Sequence, residues 1–149
     1  MTYFGSQATS SRLEMAVLTW SGAPSVNQPF SLTLLNHNWS PAPSVSSTSM
    51  TLPEGEYLAQ AYSASTRTGT GQNLKYGWYV DGTLAGLVGQ TDLMDGRNND
   101  ISEAVFSVQS SATLELRLVA QNSTLPTLTS DCRIVIWRVQ GANVQEATL

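Results

Sequence analysis

The side chains that could take part in catalysis are few and lie far apart in the sequence. His37 is the only histidine and Cys132 is the only cysteine. A catalytic triad requires a base that is oriented beside its nucleophile, and a zinc site requires several histidine or cysteine ligands. The sequence supports no Ser-His-Asp or Cys-His pairing and no zinc ligand set. We expect Cys132 to be a buried thiol within a strand.

Two carboxylates, Glu54 and Glu56, flank Gly55 and form the next candidate pair. Such a pair can hydrolyse a glycosidic bond when its members face each other across a cleft about 5–10 Å wide. No pattern around these residues indicates a cleft. We therefore predict that the protein is not an enzyme and that it holds no cofactor.

The most polar segment of the chain is the loop from Asp92 to Asp100, with the sequence DLMDGRNND. Its carboxylate and amide oxygens are ligands that calcium accepts, but the spacing does not fit an EF-hand and a guanidinium lies among them. Three interpretations stay open: a hydrated loop, a calcium site, or a contact with a partner. The candidate recognition residues are Asp92, Asp95, Arg97, Asn98 and Asn99.

The composition argues against two large classes of partner. Only 12% of the 149 residues are charged, and the net charge is −4. Lys75 is the only lysine and the arginines are scattered, so there is no basic stripe that could neutralise nucleic-acid phosphates. No apolar run approaches the ~20 residues of a membrane helix, and the first residues lack the features of a secretory signal. We expect synthesis in a cytoplasm, with neither nucleic acid nor membrane as partner.

Alternation of apolar and polar residues, which is typical of strands, dominates the rest of the chain. Prolines and glycines interrupt it every ten to fifteen residues, and no segment has a helical period. The pattern predicts about eight short strands in a two-sheet, all-β jelly-roll sandwich. Turns are predicted at Pro53–Gly55, at Asp81–Gly82 and at Ser110–Ser111. The predicted strands cover residues 12–20, 29–36, 56–65, 74–80, 83–91, 101–109, 112–121 and 132–140.

These strands form one predicted domain, residues 12–141, with an N-terminal arm (1–11) and a C-terminal tail (142–149). The chain is rich in tryptophan and tyrosine at strand positions. Such rings can stack on sugars, but they more often fill cores and subunit interfaces.

Several segments together resemble the tumour-necrosis-factor and complement-globular-head superfamily of trimeric jelly rolls. The step Pro53-x-Gly55-x-Tyr57 opens an apolar strand and follows an earlier strand at 29–32 (PFSL). An Asp-Gly hairpin lies at 79–82, a leucine-alternating strand at 114–118 and a final apolar strand at 133–137. The resemblance covers about residues 25–140, and the composition looks more like the versions found in tailed-bacteriophage virions.

The resemblance implies a homotrimer in which one sheet of each subunit faces inward. The run Ile134-Val135-Ile136-Trp137 is apolar on both faces, whereas a sandwich strand needs only one core face. A neighbouring subunit would cover the other. The residues expected to form core plus interface are Tyr57, Ala59, Tyr62, Leu116, Leu118, Val135 and Trp137.

The function that this resemblance implies is structural. We expect a virion protein that decorates and stabilises a bacteriophage capsid as a cement protein on the outer head surface, with the major capsid protein as partner. Tyr3 and Phe4 of the arm are expected to anchor it there. The alternative is a trimeric receptor-binding tip of a tail fibre or another virion appendage.

Overall fold

The computed structural model describes residues 12–66, 73–92, 101–122 and 126–140. Within these ranges the regular structure consists of strands only, and no helix is long and apolar enough to cross a membrane. The predicted arm and tail lie outside the described residues. The strands are β1 (Arg12–Ser21), β2 (Ser31–His37), β3 (Ser44–Val45), β4 (Met50–Tyr62), β5 (Ser65–Thr66), β6 (Asn73–Val80), β7 (Thr83–Asp92), β8 (Ile101–Asn122), β9 (Thr127–Leu128) and β10 (Arg133–Gln140).

Hydrogen bonds join most of these strands in the order β2-β1-β10-β4-β8-β6-β7, and β3 pairs with β4. The sheet folds over itself. Trp20 on β1 and Tyr76 on β6 are four places apart in this order, yet their ring centroids are only 5.0 Å apart. The chain also crosses between the layers before β2, where Phe30 N–H donates to Leu116 O at 2.9 Å. The result is the predicted jelly-roll sandwich, which is confirmed.

The long strand β8 belongs to both layers. Its 22 residues run without interruption; residues 101–108 and 111–114 pair with β4, and residues 114–122 pair with β6. The turn predicted at Ser110–Ser111 is therefore wrong. A two-residue hairpin turn requires positive φ, and neither serine has it. We call β2, β1, β10, residues 56–62 of β4 and residues 101–109 of β8 the first layer, and residues 50–53 of β4 and 111–122 of β8 with β6 and β7 the second. β7 also reaches the edge of the first layer, where Leu87 pairs with Glu103.

The turn predicted at Pro53–Gly55 is also wrong. Strand β4 continues through these residues for 13 residues, and only its register with β8 shifts between Pro53 and Gly55. A β-bulge bends a strand without ending it. This bend lets β4 and β8 pass together from one layer to the other.

The core lies between the layers and follows directly from the strand alternation. On β1 the inward side chains include Ala16, Leu18 and Trp20, and all three are buried. On β10 the inward residues are Ile134 and Ile136. The second layer contributes Leu74, Tyr76, Trp78, Leu114, Leu116 and Leu118.

The hairpin predicted at Asp81–Gly82 is present between β6 and β7. Asp81 has φ 48° and Gly82 has φ 81°, as a tight turn that matches the strand twist requires. Further along β7, Gly86 also has positive φ, 71°, and a Cβ placed there would overlap the carbonyl oxygen of Glu103. The missing side chain lets β7 approach β8 closely.

We expect Gly86→Ala to lower the free energy of unfolding by about 2–5 kcal/mol, because a strained φ and a backbone clash add together. Gly82→Ala is the matched control, since it has a similar positive φ but nothing within 4 Å of the added Cβ. The control should cost only about 1–2 kcal/mol. Urea denaturation of both variants measures the difference, and equal losses would contradict the close approach of β7 to β8.

Candidate subunit interface

Alternation along β10 sends two sets of apolar side chains in opposite directions. Ile134 and Ile136 point into the core and are buried. Val135, Trp137 and Val139 point away from the core and are only half-buried in the isolated chain. This outward set is the surplus apolar face that the sequence predicts for the last strand.

The strand register extends this face across the first layer. Met15 on β1 lies opposite Trp137, Trp137 lies opposite Leu58 on β4, and Leu58 lies opposite Val105 on β8. Directly opposed side chains on one face touch each other, so these four form a continuous apolar row across four strands. We call the row and its apolar neighbours the outer apolar face. It consists of Leu13, Met15, Val17, Leu58, Val105, Val135, Trp137 and Val139.

A shallow groove of about 480 Å³ runs over this face. Two of its side chains are strongly exposed, Val105 by 75% and Leu13 by 56%. Single exposed apolar side chains are ordinary, but a contiguous patch marks a surface that something covers. The groove is lined by Leu13, Glu56, Tyr57, Leu58, Val105, Trp137 and Val139.

A polar chain borders the apolar row toward the other end of the strands. Gln60 on β4 donates from Nε2 to Glu103 Oε2 at 3.0 Å, and the Tyr62 hydroxyl lies 3.4 Å from Gln60 Oε1. In the next row Arg133 of β10 lies opposite Tyr62. The first layer therefore carries carboxylates on its β4–β8 side and a guanidinium on β10.

The seven residues predicted for core plus interface divide between these two roles. Tyr57, Ala59, Leu116 and Leu118 are core residues. Tyr62, Val135 and Trp137 lie on the outward side of the first layer, where Tyr62 is 38% exposed.

Sequence reasoning missed Met15, Leu58 and Val105 as members of this face. The sequence did contain a signal for Leu58, because it alternates with Tyr57 and Ala59, which point into the core. Only the register shows that these residues align with Trp137.

Other predicted site residues are not brought to this face. Tyr3 and Phe4 lie outside the described residues, and so do Asp95, Arg97, Asn98 and Asn99. Asp92 is the last residue of β7. Their predicted roles stay predictions.

A buried ion pair lies behind the face, between the layers. Glu14 is fully buried and Arg138 is 5% exposed, and Arg138 Nη1 donates to Glu14 Oε1 at 2.9 Å. Arg138 Nη2 donates to the Glu54 carbonyl at 2.7 Å, and Ser40 N–H donates to Glu14 Oε2 at 3.0 Å. The pair thus connects β1, β10, the bend of β4 and the loop after β2. Its two charges were not singled out from the sequence, because their alternation positions are those of apolar core residues.

Tyr57 packs beside this ion pair. Its hydroxyl donates to the Pro53 carbonyl at 2.6 Å. The pKa of Tyr57 is raised to about 12, mainly by burial; the Arg138 guanidinium opposes this rise and the Glu14 carboxylate adds to it. The phenol is therefore a neutral structural donor at physiological pH, not an acid or base.

The residues weighed for catalysis are not brought together. Cys132 is buried, its thiol donates to the Ala64 carbonyl at 3.2 Å, and burial raises its pKa. Glu54 and Glu56 are exposed at the bend of β4. Among the described residues no group of three His, Cys, Asp or Glu side chains converges on a metal position.

No family model matches the chain, and no curated protein is significantly similar to it in sequence. Solved structures do resemble it. A crystal structure of murine APRIL at pH 8.0 matches with a TM-score of 0.59 and 9% identity, covering 86% of this chain and 100% of that one. A second at pH 8.5 gives 0.60 with the same identity and coverage. The chain therefore has a jelly-roll fold of the tumour-necrosis-factor type.

Proposed function

We propose that this protein is a non-enzymatic structural protein that assembles as a homotrimer through its outer apolar face. The observation that carries the proposal is the apolar row Met15–Trp137–Leu58–Val105. These side chains lie on the outward side of the first layer, which does not contribute to the core. A strand in a sandwich requires only one covered face. Closed rotational symmetry covers the second face in every copy and leaves no contact open for further growth.

The mass of the isolated protein in solution tests this assembly. Light scattering should give about three times 16.0 kDa. A stable particle of one chain at micromolar concentration would contradict the proposal.

The role proposed for the trimer is capsid decoration on a tailed bacteriophage. It would bind the major capsid protein on the outer head surface and stabilise the shell, after synthesis in the host cytoplasm. The support for this role is the composition of the sequence, which looks like that of jelly rolls in tailed-bacteriophage virions and has only 12% charged residues. The arm residues Tyr3 and Phe4 remain the proposed anchor.

Copy number in purified particles tests the decoration role, which requires hundreds of copies per virion. Deleting residues 1–11 should abolish binding to heads while the trimer persists by light scattering. Normal coating of heads by the truncated trimer would remove the arm from the proposal.

The alternative role, a receptor-binding tip, is supported by the place at which three segments outside the described residues leave the sheet. Asn73 pairs with both Asp92 and Asn122, so the described flanks of segments 67–72, 93–100 and 123–125 meet at one end of the sheet. Loops that are gathered on a rigid scaffold commonly form recognition surfaces. Under this role the substitutions Asp95→Ala and Arg97→Ala should abolish adsorption to the host, and under capsid decoration they should leave it unchanged.

A further inference from the structure

A pocket of about 470 Å³ lies beside the place where β4 and β8 bend together, since Pro53, Ser110 and Ser111 of that bend line it. Its volume falls in the range of about 300–1,000 Å³ that is usual for ligand sites. We call it the proline pocket, because Pro41 and Pro43 form its wall together with Pro53. It shares no residue with the outer apolar face, so an inference about it does not depend on the proposed homotrimer.

Two buried donors that line this pocket have no hydrogen-bond partner among the described residues. Trp39 is only 4% exposed and its Nε1–H is unpaired, whereas the buried Trp20 and Trp78 both donate to backbone carbonyls. Both terminal nitrogens of Arg138 donate within the protein, but its Nε does not. Buried donors are nearly always paired, so two unpaired donors at one pocket indicate that an occupant supplies the acceptors.

The charges and donors around the pocket favour a neutral occupant that carries acceptors. The Arg138 guanidinium is already paired with the Glu14 carboxylate at 2.9 Å, and the exposed Glu54 and Glu56 lie at the same bend. An anionic ligand would therefore compete with Glu14 and be repelled by its neighbours. Indole and guanidinium groups donate but cannot accept, so donors on the occupant would gain nothing from them.

We infer that the proline pocket binds a proline-rich peptide segment of a partner protein, whose carbonyl oxygens accept from Trp39 Nε1–H and Arg138 Nε–H. Proline has no N–H, so such a segment brings few donors that would be left unpaired against the apolar wall. Its extended helix has no internal hydrogen bonds, which leaves the carbonyls free, and little conformational entropy is lost on docking.

A sugar fits this pocket less well, because sugars stack on an exposed aromatic ring and bring hydroxyl donors. The Trp39 ring is buried, with the Arg138 guanidinium carbon 5.7 Å from its centroid. Both unpaired nitrogens are covered in the unbound chain, so binding requires a small shift of the wall. The connection 41–43 can supply this shift, since no strand pairing holds it.

The indole N–H signals of ¹⁵N-labelled protein test the inference. A proline decamer with neutral caps is added up to about 5 mM, where a complex with a millimolar dissociation constant is mostly formed. The Trp39 signal, assigned through Trp39→Phe, should shift, and the signals of the already paired Trp20 and Trp78 should stay. An unmoved Trp39 signal would overturn the inference.

Two further additions define the chemistry of the ligand. A capped decamer of alternating glycine and serine has the same length but brings a donor at every residue, and it should leave the Trp39 signal in place. Sodium acetate should do the same. A shift caused equally by both peptides, or by acetate and not by the proline peptide, would overturn the inference.

Variants locate the binding site. Trp39→Phe keeps a ring and removes an N–H that has no partner among the described residues, so it should weaken binding of the proline peptide about tenfold. Ser111→Trp, at an exposed position of the lining, should block the pocket, and Ser21→Trp on the exposed end of β1 is its matched control. Calorimetry measures the affinities, and circular dichroism verifies folding. Unchanged affinity in a folded Trp39→Phe or Ser111→Trp variant would overturn the inference.

Discussion

Trp137→Glu is expected to convert the assembly into single folded chains. Trp137 lies at the centre of the apolar row and is half-buried before any assembly. Covering such a side chain contributes roughly 1.5–3 kcal/mol, and a carboxylate left without a partner in the interface adds a desolvation cost. A loss of about 3 kcal/mol per contact corresponds to more than about a hundredfold in the dissociation constant. Light scattering should show the mass fall from about three times 16.0 kDa to one.

Leu84→Glu is the matched control for this prediction. Leu84 is also a large exposed apolar residue, 42% accessible, but it lies opposite Tyr79 on the outward side of the second layer. The same change there should leave the trimer intact. Dissociation of both variants, or of Leu84→Glu alone, would place the interface elsewhere.

Arg138→Met is expected to cost about 3–5 kcal/mol of folding free energy, because it leaves the Glu14 carboxylate buried without a counter-charge. That is a large part of the ~5–15 kcal/mol that holds an ordinary domain together. The substitution also removes the hydrogen bond to the Glu54 carbonyl. Urea denaturation of the purified variant measures the loss.

The double variant Glu14→Leu with Arg138→Met separates the cost of an orphaned charge from the value of the pair. Replacing both members with apolar side chains removes the buried charges together and is often close to neutral. The double variant should therefore be more stable than Arg138→Met alone. The losses of stability in the single variants Glu14→Leu and Arg138→Met are measured for comparison. If the loss in the double variant equals the sum of these two losses, Glu14 and Arg138 act independently.

The alternating pattern was sufficient to predict most of each long strand and the β6–β7 hairpin, but not the two-residue strands β3 and β9 or the first six residues of β4. Asp81–Gly82 supplies the positive φ angles that the turn demands, and this requirement is local. The turns predicted at Ser110–Ser111 and Pro53–Gly55 were wrong because polar residues and proline also occur at bends inside long strands. Whether a chain turns or bends there depends on its partner strand, and β4 and β8 bend together.

For the candidate interface, the sequence alone established that the last strand is apolar on both sides, and this led to the expectation that a second subunit covers the side that faces away from the core. It also excluded a zinc site built from several histidine or cysteine ligands, because His37 and Cys132 are the only residues of their types. Only the tertiary structure decided that Trp137 faces outward while Ile136 faces the core, and that Met15, Leu58 and Val105 share its row. Alternation within a strand is a local property, but the face that becomes core and the residues that align beside it are set by register between segments far apart in the chain.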